Sequence, residues 1–227
     1  FLKTLDEYAL SNDNALLVGI PTQDFRTRKY MNSVIGLGHA SGRYHKQHLV
    51  PFGEYVPLES WLRGAIDFFD LPMSNFSAGA PNQPLISPKQ TLIATAICYE
   101  IAYPKLVSNI TAEANLLLTV SNDSWFGDSL GPKQHMQMAQ MRALENSKPL
   151  IRSTNDGISA VVDHRGNIVA TVPAFTKTVL RHYVVPRIGS TPYNRWGSNI
   201  LLPFSLVLLI LALRKRRTTE ETTHRYR

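Results

Sequence analysis

The stretch TLIATAICYEIAYPKLVSNITAEANLLLTV, residues 91–120, decides the fold class. Two apolar runs, residues 92–97 and 115–120, have the length of buried strands, and residues 104–114 between them have the pattern of a helix that begins at a proline. A strand–helix–strand unit of this kind is typical of an α/β domain with a central sheet. The first run leads directly into Cys98, the only cysteine of the chain.

Apolar periodicity extends this prediction towards both ends of the chain. Further helices are predicted at residues 2–10, 58–69 and 133–148. Further strands are predicted at residues 16–21, 30–37, 149–153 and 179–185, and a hairpin at residues 158–172 turns at Gly166-Asn167.

The charge of the chain is concentrated at its end. The net charge is +7, and residues 214–227 alone contain six basic and two acidic residues, so that this tail supplies more than half of it. The remaining charge, spread over more than two hundred residues, does not indicate a phosphate-binding face. We therefore expect no nucleic-acid partner.

An uncharged run from Trp196 to Leu213 precedes the basic residues Arg214 to Arg217. Eighteen helical residues span about 27 Å, close to the ~30 Å hydrocarbon core of a bilayer. We interpret residues 193–213 as a transmembrane helix and residues 214–227 as a basic cytoplasmic tail, which leaves residues 1–192 on the opposite face of the membrane. The alternative is a C-terminal helix buried in the domain.

Cys98 is a candidate nucleophile because it follows a buried strand, and ligands in α/β folds meet the carboxyl ends of strands. A nearby cation would lower the pKa of the thiol and so favour the thiolate. The same cation could stabilise the oxyanion of a tetrahedral intermediate. The alternative is a structural cysteine in the core, which is the commoner role of a single cysteine.

The segment YHKQHLVPFGEYVP, residues 44–57, supplies candidate charged partners. Lys46 would be the cation, and Glu54, eight residues later, a carboxylate for acid–base work. Each of the two residues alone has the features of a solvated surface residue. Their pairing within one apolar loop makes both of them candidate site residues. Trp125 and Phe126, in a loop after a predicted strand, are expected near the site.

Histidines offer two weaker possibilities. His45 and His48 flank Lys46, but no third ligand is close in sequence, so we expect no metal. A dyad of Cys98 with His135 lacks the Asn or Asp signature that would support it. No cofactor is implied.

The motifs YHKQHLVPFGEYVP, AICYE, SNDSWFGD and QMRALEN resemble the nitrilase-superfamily domain of the apolipoprotein N-acyltransferases, over nearly the whole chain. The resemblance implies an α/β fold, an α-β-β-α sandwich followed by one C-terminal transmembrane helix. It assigns Cys98 as the nucleophile, Lys46 as the catalytic lysine and Glu54 as a second glutamate near that lysine. Tyr99 and Glu100 match the pair that follows the nucleophile, and Trp125 and Phe126 match aromatic positions at the mouth of the site.

One triad member has no match here. The triad glutamate of the family lies in a proline–glutamate motif, which residues 1–37 do not contain. Since no initiator methionine precedes Phe1, we interpret the chain as the C-terminal portion of a longer protein, with residues 1–192 as an N-terminally truncated catalytic domain. We expect this portion alone to be inactive.

The reaction that the resemblance implies is a two-step acyl transfer at the bacterial inner membrane. Cys98 takes an acyl chain from a phospholipid as a thioester and passes it to the lipid-modified N-terminal cysteine of an apolipoprotein. The domain would face the periplasm of a multi-pass membrane protein, and we expect a monomer.

Three other functions remain open on the sequence alone. A nitrilase-type amidase would use the same residues on small amides. A membrane-anchored binding module would have a structural Cys98. A truncated, inactive remnant would lack the triad glutamate.

Overall fold

The computed structural model describes residues 1–57 and 76–224, and the helix predicted at residues 58–69 lies outside these ranges. The strands are β1 (Ala15–Gln23), β2 (Tyr30–Gly38), β3 (Ala40–Ser41), β4 (Arg43–His45), β5 (Ser87–Pro88), β6 (Ile93–Ile97), β7 (Leu116–Asn122), β8 (Leu150–Asn155), β9 (Ser159–Val162) and β10 (Ile168–Val172). The α-helices are α1 (Leu2–Ser11), α2 (Pro104–Thr111), α3 (Gly131–Asn146), α4 (Pro192–Trp196) and α5 (Leu201–His224).

Two larger sheets form the centre of the domain. Strands β1, β2 and β4 make an antiparallel sheet, and a five-stranded sheet has the order β10-β9-β8-β7-β6. Within the latter, β6, β7 and β8 are parallel, while β9 and β10 are antiparallel additions. The parallel part contains the strand–helix–strand unit that residues 91–120 predict.

Alternating side chains of the five-stranded sheet enter two separate cores, because successive residues of a strand point to opposite faces. Ala94, Ala96 and Leu117 pack against the helices α2 and α3. On the other face Ile93 and Ile97 pack against the three-stranded sheet. Helix α1 packs on the far side of that sheet through buried Ala9. The order of layers is therefore helix, sheet, sheet, helix, which confirms the α-β-β-α sandwich.

The strand predicted at residues 179–185 is wrong. These residues lie outside every sheet ladder in the described chain. Val179 is 75% exposed and Val185 is 78% exposed, while Val184 is partly buried against the core between the sheets. The segment is rich in the valine and tyrosine residues that strands favour, but without a neighbouring strand the backbone has no ladder to join.

Hydrogen bonds attach the C-terminal end of the domain to its helical layer just before the apolar helix begins. Thr191 caps α4 by accepting a hydrogen bond from the backbone N–H of Asn194 (3.1 Å), and the Asn194 side chain donates to Ser108 Oγ of α2 (3.2 Å). The chain then continues through a short 3₁₀ turn, Gly197–Ile200, into α5.

The segment Pro192–Lys215 is long and apolar enough to cross a membrane, with a mean hydropathy of 2.0 over its most apolar window. None of that window is buried against the rest of the described chain. The alternative of a C-terminal helix buried in the domain is therefore wrong.

Candidate active site

Cys98 stands where β6 ends and a 3₁₀ helix, Cys98–Ala102, begins. Its φ is +52°, a left-handed conformation that costs a non-glycine residue about 1–3 kcal/mol and needs support from its surroundings. The residue is half-buried, whereas the five residues of β6 before it are buried. A single side chain is thus presented at the rim of the sheet by a sharp turn of the backbone.

Lys46 and Glu54 form a nearly buried ion pair. The ammonium Nζ lies 2.9 Å from Oε1 and 2.8 Å from Oε2 of Glu54, and the Lys46 side chain is 1% exposed. Glu54 also accepts hydrogen bonds from the backbone N–H of Val50 (2.7 Å) and from the side chain of Asn32. Because its oxygens already bind these donors, Glu54 is suited to holding the Lys46 side chain in place rather than to moving protons.

Glu100 connects the Lys46 segment to the Cys98 turn. Its Oε1 accepts from the Tyr44 hydroxyl (2.9 Å) and from the backbone N–H groups of Gln47 (2.6 Å) and His48 (3.1 Å). Its Oε2 accepts from the N–H of Ile97 (2.7 Å), the residue before Cys98. One fully buried carboxylate therefore fixes both segments relative to each other.

The electrostatics of Glu100 follow from its burial. Desolvation raises the pKa of its carboxyl above the ordinary value, and the four hydrogen bonds oppose that rise without cancelling it. Burial, and then the charge of Glu100, also raise the pKa of Tyr44, so that this phenol remains a donor. The motif match places Glu100 two residues after Cys98, and the structure shows that its carboxylate holds the Lys46 segment and the Cys98 turn together.

Aromatic side chains line the same region. Tyr99 is 38% exposed and packs edge-on against Tyr103, with ring centroids 5.0 Å apart. The ring of His48, from the Lys46 segment, lies 4.3 Å from the same Tyr103 ring. A hydrogen bond with Tyr99, and then desolvation, raises the pKa of Tyr103 to about 12. His45 instead contacts Ser33 Oγ through Nδ1 at 2.7 Å, so that the two histidines have separate partners.

The two aromatic residues after β7 differ in their placement. Phe126 is 45% exposed, and its ring centroid lies 6.4 Å from that of His135. Trp125 is 76% exposed. Phe126 is thus linked to the Cys98 region through His135, while Trp125 offers a free indole on the surface.

A buried polar cluster behind Cys98 was missed by sequence reasoning. Asp123 binds Arg152 through Oδ2 (2.7 Å), and its Oδ1 lies 3.1 Å from His135 Nδ1. The other imidazole nitrogen, Nε2, lies 3.1 Å from the carbonyl oxygen of Cys98. The Cys98–His135 dyad therefore takes a different form, in which the imidazole contacts the backbone of Cys98. The available signal was Arg152, which follows the apolar pair Leu150 and Ile151 in β8 and so required a buried carboxylate.

We expect Asp123→Asn to lower the thermal stability of the domain at pH 7 by about 2 kcal/mol, because the Arg152 guanidinium loses its charged acceptor. Burial raises the pKa of Asp123, but the hydrogen bonds of His135 and Ser121 and the charge of Arg152 together hold it below the ordinary 3.8. A depressed folded-state pKa gives stability that is present above the unfolded value and lost as the pH falls through the folded value. The deficit of the variant should shrink below pH 3.8 in thermal melts.

The exposed Asp128→Asn is the matched control and should melt as the unaltered protein does at both pH values. An Asp123→Asn deficit that stays constant from pH 7 down to the acid range would contradict the assignment of an ionised Asp123.

The family model of the carbon–nitrogen hydrolases matches residues 1–193. The apolipoprotein N-acyltransferase of Azotobacter vinelandii is 48% identical over 220 residues, which are 96% of this chain and 43% of that protein. Apolipoprotein N-acyltransferases of Pseudomonas putida (46% identity; 93% and 42% covered) and Vibrio parahaemolyticus (47% identity; 93% and 44% covered) are similar in the same way.

These relatives confirm the resemblance that the motifs indicate. The chain spans less than half of the length of the curated relatives it matches. Among solved structures, yeast Nit3 of the nitrilase superfamily has a TM-score of 0.58 at 22% identity, covering 76% of this chain and 60% of Nit3. The C. elegans NitFhit protein has a TM-score of 0.61 at 19% identity, covering 77% of this chain and 43% of NitFhit. These structures confirm the fold.

Proposed function

The chain belongs to the carbon–nitrogen hydrolase family, and from that premise we propose that it carries the acyl-transfer site of an enzyme completing lipoprotein maturation. The donor is a membrane phospholipid, and the acceptor is the lipid-modified N-terminal cysteine of an apolipoprotein. The proposal is supported above all by one arrangement, in which Glu100 ties the turn that presents Cys98 to the segment that carries the buried Lys46–Glu54 pair.

In the first half of the reaction the Cys98 sulfur attacks the carbonyl carbon of the phospholipid ester. The carbon–oxygen bond breaks, a thioester forms, and the thiol proton leaves with the lysophospholipid hydroxyl. Lys46 is proposed to stabilise the oxyanion of the tetrahedral intermediate, since a cation held in a desolvated site acts more strongly than one in water.

In the second half the amino group of the apolipoprotein attacks the thioester. The carbon–sulfur bond breaks, an amide forms, and the amine proton returns to the Cys98 thiolate. The oxygens of Glu54 are occupied by Lys46, Asn32 and Val50, so we assign the proton transfers to another carboxylate. The resemblance attributes this role to the glutamate of the family's proline–glutamate motif, for which residues 1–37 contain no match.

The membrane placement of this reaction is likewise proposed. It is supported by the exposed apolar segment Pro192–Lys215 and by the basic residues that follow in sequence. Basic residues favour the cytoplasmic side, which puts Cys98 on the periplasmic side of a bacterial inner membrane, where apolipoproteins would be met. A small-molecule amidase has no comparable use for this helix.

The test is intact-mass spectrometry of the protein expressed from its own gene and purified from membranes, beside Cys98→Ser. We expect an acyl adduct on the unaltered protein that neutral hydroxylamine removes, and no such adduct on the variant. The serine variant is the sharp control because an oxygen ester resists neutral hydroxylamine.

Absence of the adduct after incubation with phospholipid vesicles would reject the acyltransferase mechanism. Hydrolysis of small amides by the same preparation, lost with Cys98→Ser, would then favour a nitrilase-type amidase.

A further inference from the structure

Three buried polar side chains stand behind Cys98 and have no part in the mechanism above. Asp123 is 1% exposed, Arg152 is 1% exposed, and His135 is 8% exposed. They come from the end of β7, from β8 and from α3, so that three elements converge on one point. Burying charged groups is costly unless their arrangement serves a purpose or is fully paired.

The hydrogen-bond chemistry of His135 fixes its tautomer. The carbonyl oxygen of Cys98 can only accept, so Nε2 of His135 must carry a proton and donate across the 3.1 Å contact. Nδ1 has a donor on one side, Arg152 Nη2 at 3.0 Å, and an acceptor on the other, Asp123 Oδ1 at 3.1 Å. In the neutral ring Nδ1 accepts from Arg152, and in the charged ring it donates to Asp123. The bond to Cys98 is kept in both states.

The other two residues hold the imidazole from behind. Arg152 also donates from Nε to the carbonyl oxygen of Ile158 (3.2 Å), and Asp123 accepts from Ser121 Oγ (2.6 Å). Asp123 packs directly against the backbone of Gly157, where a side chain would not fit, since a Cβ at Gly157 would lie 2.7 Å from the Asp123 Cβ. The ring plane and the reach of Nε2 are thereby determined.

Cys98 is the residue that needs such support. Its left-handed backbone conformation persists only if neighbouring contacts favour it over a relaxed one. The carbonyl group of Cys98 belongs to the strained peptide, so a donor placed on its oxygen acts directly on that conformation. From the other side, Glu100 holds the N–H of Ile97. The turn is therefore anchored before and after the nucleophile.

We propose that His135, oriented by Asp123 and Arg152, is a positioning residue that holds the backbone of Cys98 in its strained conformation and so keeps Sγ in the reacting position. The inference rests on the proposed function only in taking Cys98 as the nucleophile. It predicts an effect on the rate of acyl-enzyme formation rather than on substrate binding, because no substrate contact is removed.

The position of the sulfur also sets its distance from the cations of the region. Burial lowers the pKa of Arg152, while the negative charges of Asp123 and Cys98 act in the opposite direction, so the guanidinium and the Cys98 thiolate attract each other. Lys46 is the second buried cation of the region. If the turn relaxes and the sulfur moves away from these cations, we expect the pH profile of Cys98 alkylation to move to higher pH.

The experiment compares His135→Ala, His135→Gln and the unaltered protein, each expressed from the native gene and purified from membranes. Glutamine can place an amide N–H on the Cys98 carbonyl oxygen but cannot carry a ring charge. His182→Gln, at an exposed histidine, is the matched control. Two quantities are measured: the rate of Cys98 alkylation by iodoacetamide against pH, and kcat and KM with phospholipid vesicles as donor.

For His135→Ala we expect kcat to fall at least tenfold with KM changed less than twofold, and the midpoint of the alkylation profile to rise. His135→Gln should recover both to within about threefold. The proposal is overturned if a folded His135→Ala retains the unaltered midpoint and kcat. It is also overturned if folded His135→Gln behaves as the alanine variant does, since a ring charge would then be the active feature.

If the alanine variant does not fold, the glutamine variant decides alone. Recovery of kcat and of the alkylation midpoint to within about threefold of the unaltered protein supports the proposal, and a larger loss overturns it. Alkylation needs no acyl donor, so it reports on positioning even if the unaltered protein never forms an acyl adduct. Failure of the proposed function and failure of this inference therefore give different results.

Discussion

Lys46→Met should abolish acyl transfer and destabilise the domain by about 3–5 kcal/mol, because one partner of a nearly buried ion pair is removed. The ammonium lies within 3 Å of both carboxylate oxygens of Glu54, whose side chain is only 14% exposed. Methionine fills a similar volume but leaves the Glu54 charge without its cation. The proposed oxyanion partner disappears at the same time, so stability and activity fall together.

A double variant separates these two losses. Lys46→Met with Glu54→Gln leaves no uncompensated charge and should recover most of the stability, while activity remains absent. The exposed pair of Lys89 with Asp13 (3.0 Å) supplies the control, since Lys89→Met should change stability by less than about 1 kcal/mol. Stability is measured by denaturant unfolding and activity by acyl transfer from vesicles. An active Lys46→Met protein would remove Lys46 from the mechanism.

The architecture was predictable where each segment carries its own signal. Strands β6 and β7 are continuous apolar runs with the helix α2 between them, and Pro104 marks the start of that helix. The hairpin of β9 and β10 is indicated by its turn, in which Asp163 accepts a hydrogen bond from the N–H of Asn167 (2.8 Å). Local chemistry of this kind needs no knowledge of distant parts of the chain.

The polar contacts of the site were less predictable because their partners are far apart in sequence. Glu100 accepts from the backbone N–H of Gln47, which any residue type would provide, so the sequence gives no sign of it. The motif match identified Glu100 but not its contacts. His135 was set aside because its neighbours in sequence lack an acid, while its acid, Asp123, is brought to it by the β7–α3 connection.

The strand prediction at residues 179–185 was wrong for a different reason. Its local pattern is that of a strand, and the outcome depends on whether a neighbouring edge is available. Tyr183 is 98% exposed while Val184 is partly buried against the core between the sheets, so this segment contacts the domain without joining a ladder. Pairing is a property of two segments, and a pattern in one of them cannot establish it.

Glu100→Gln should lower acyl transfer on the order of a hundredfold, the usual cost of displacing a reacting group by about 1 Å. The carboxylate accepts four hydrogen bonds, three at Oε1 and one at Oε2. An amide offers only one accepting oxygen. Its NH₂ group must therefore face either Ile97 N–H or the three donors around the Lys46 segment, and donor opposes donor in both orientations.

The displacement reaches both halves of the site because Glu100 is their shared support. The amide would push on the residue before Cys98 or on Gln47, the residue after Lys46, so Sγ and Nζ lose their alignment. The unmet buried donor costs about 1–3 kcal/mol. Against that, the neutral side chain avoids the desolvation that raises the pKa of Glu100, so the net loss of stability should be smaller than for Lys46→Met.

The control is Glu113→Gln, the same exchange at an exposed glutamate, which should leave kcat and unfolding unchanged. The decisive measurement is the rate of adduct formation on Cys98 followed by mass spectrometry, compared with the unfolding free energy of each variant. A large kinetic loss with a small stability loss is expected for a residue that aligns two segments. Equal losses in both would reduce Glu100 to a structural support, and normal adduct formation would show that Cys98 and Lys46 keep their alignment without it.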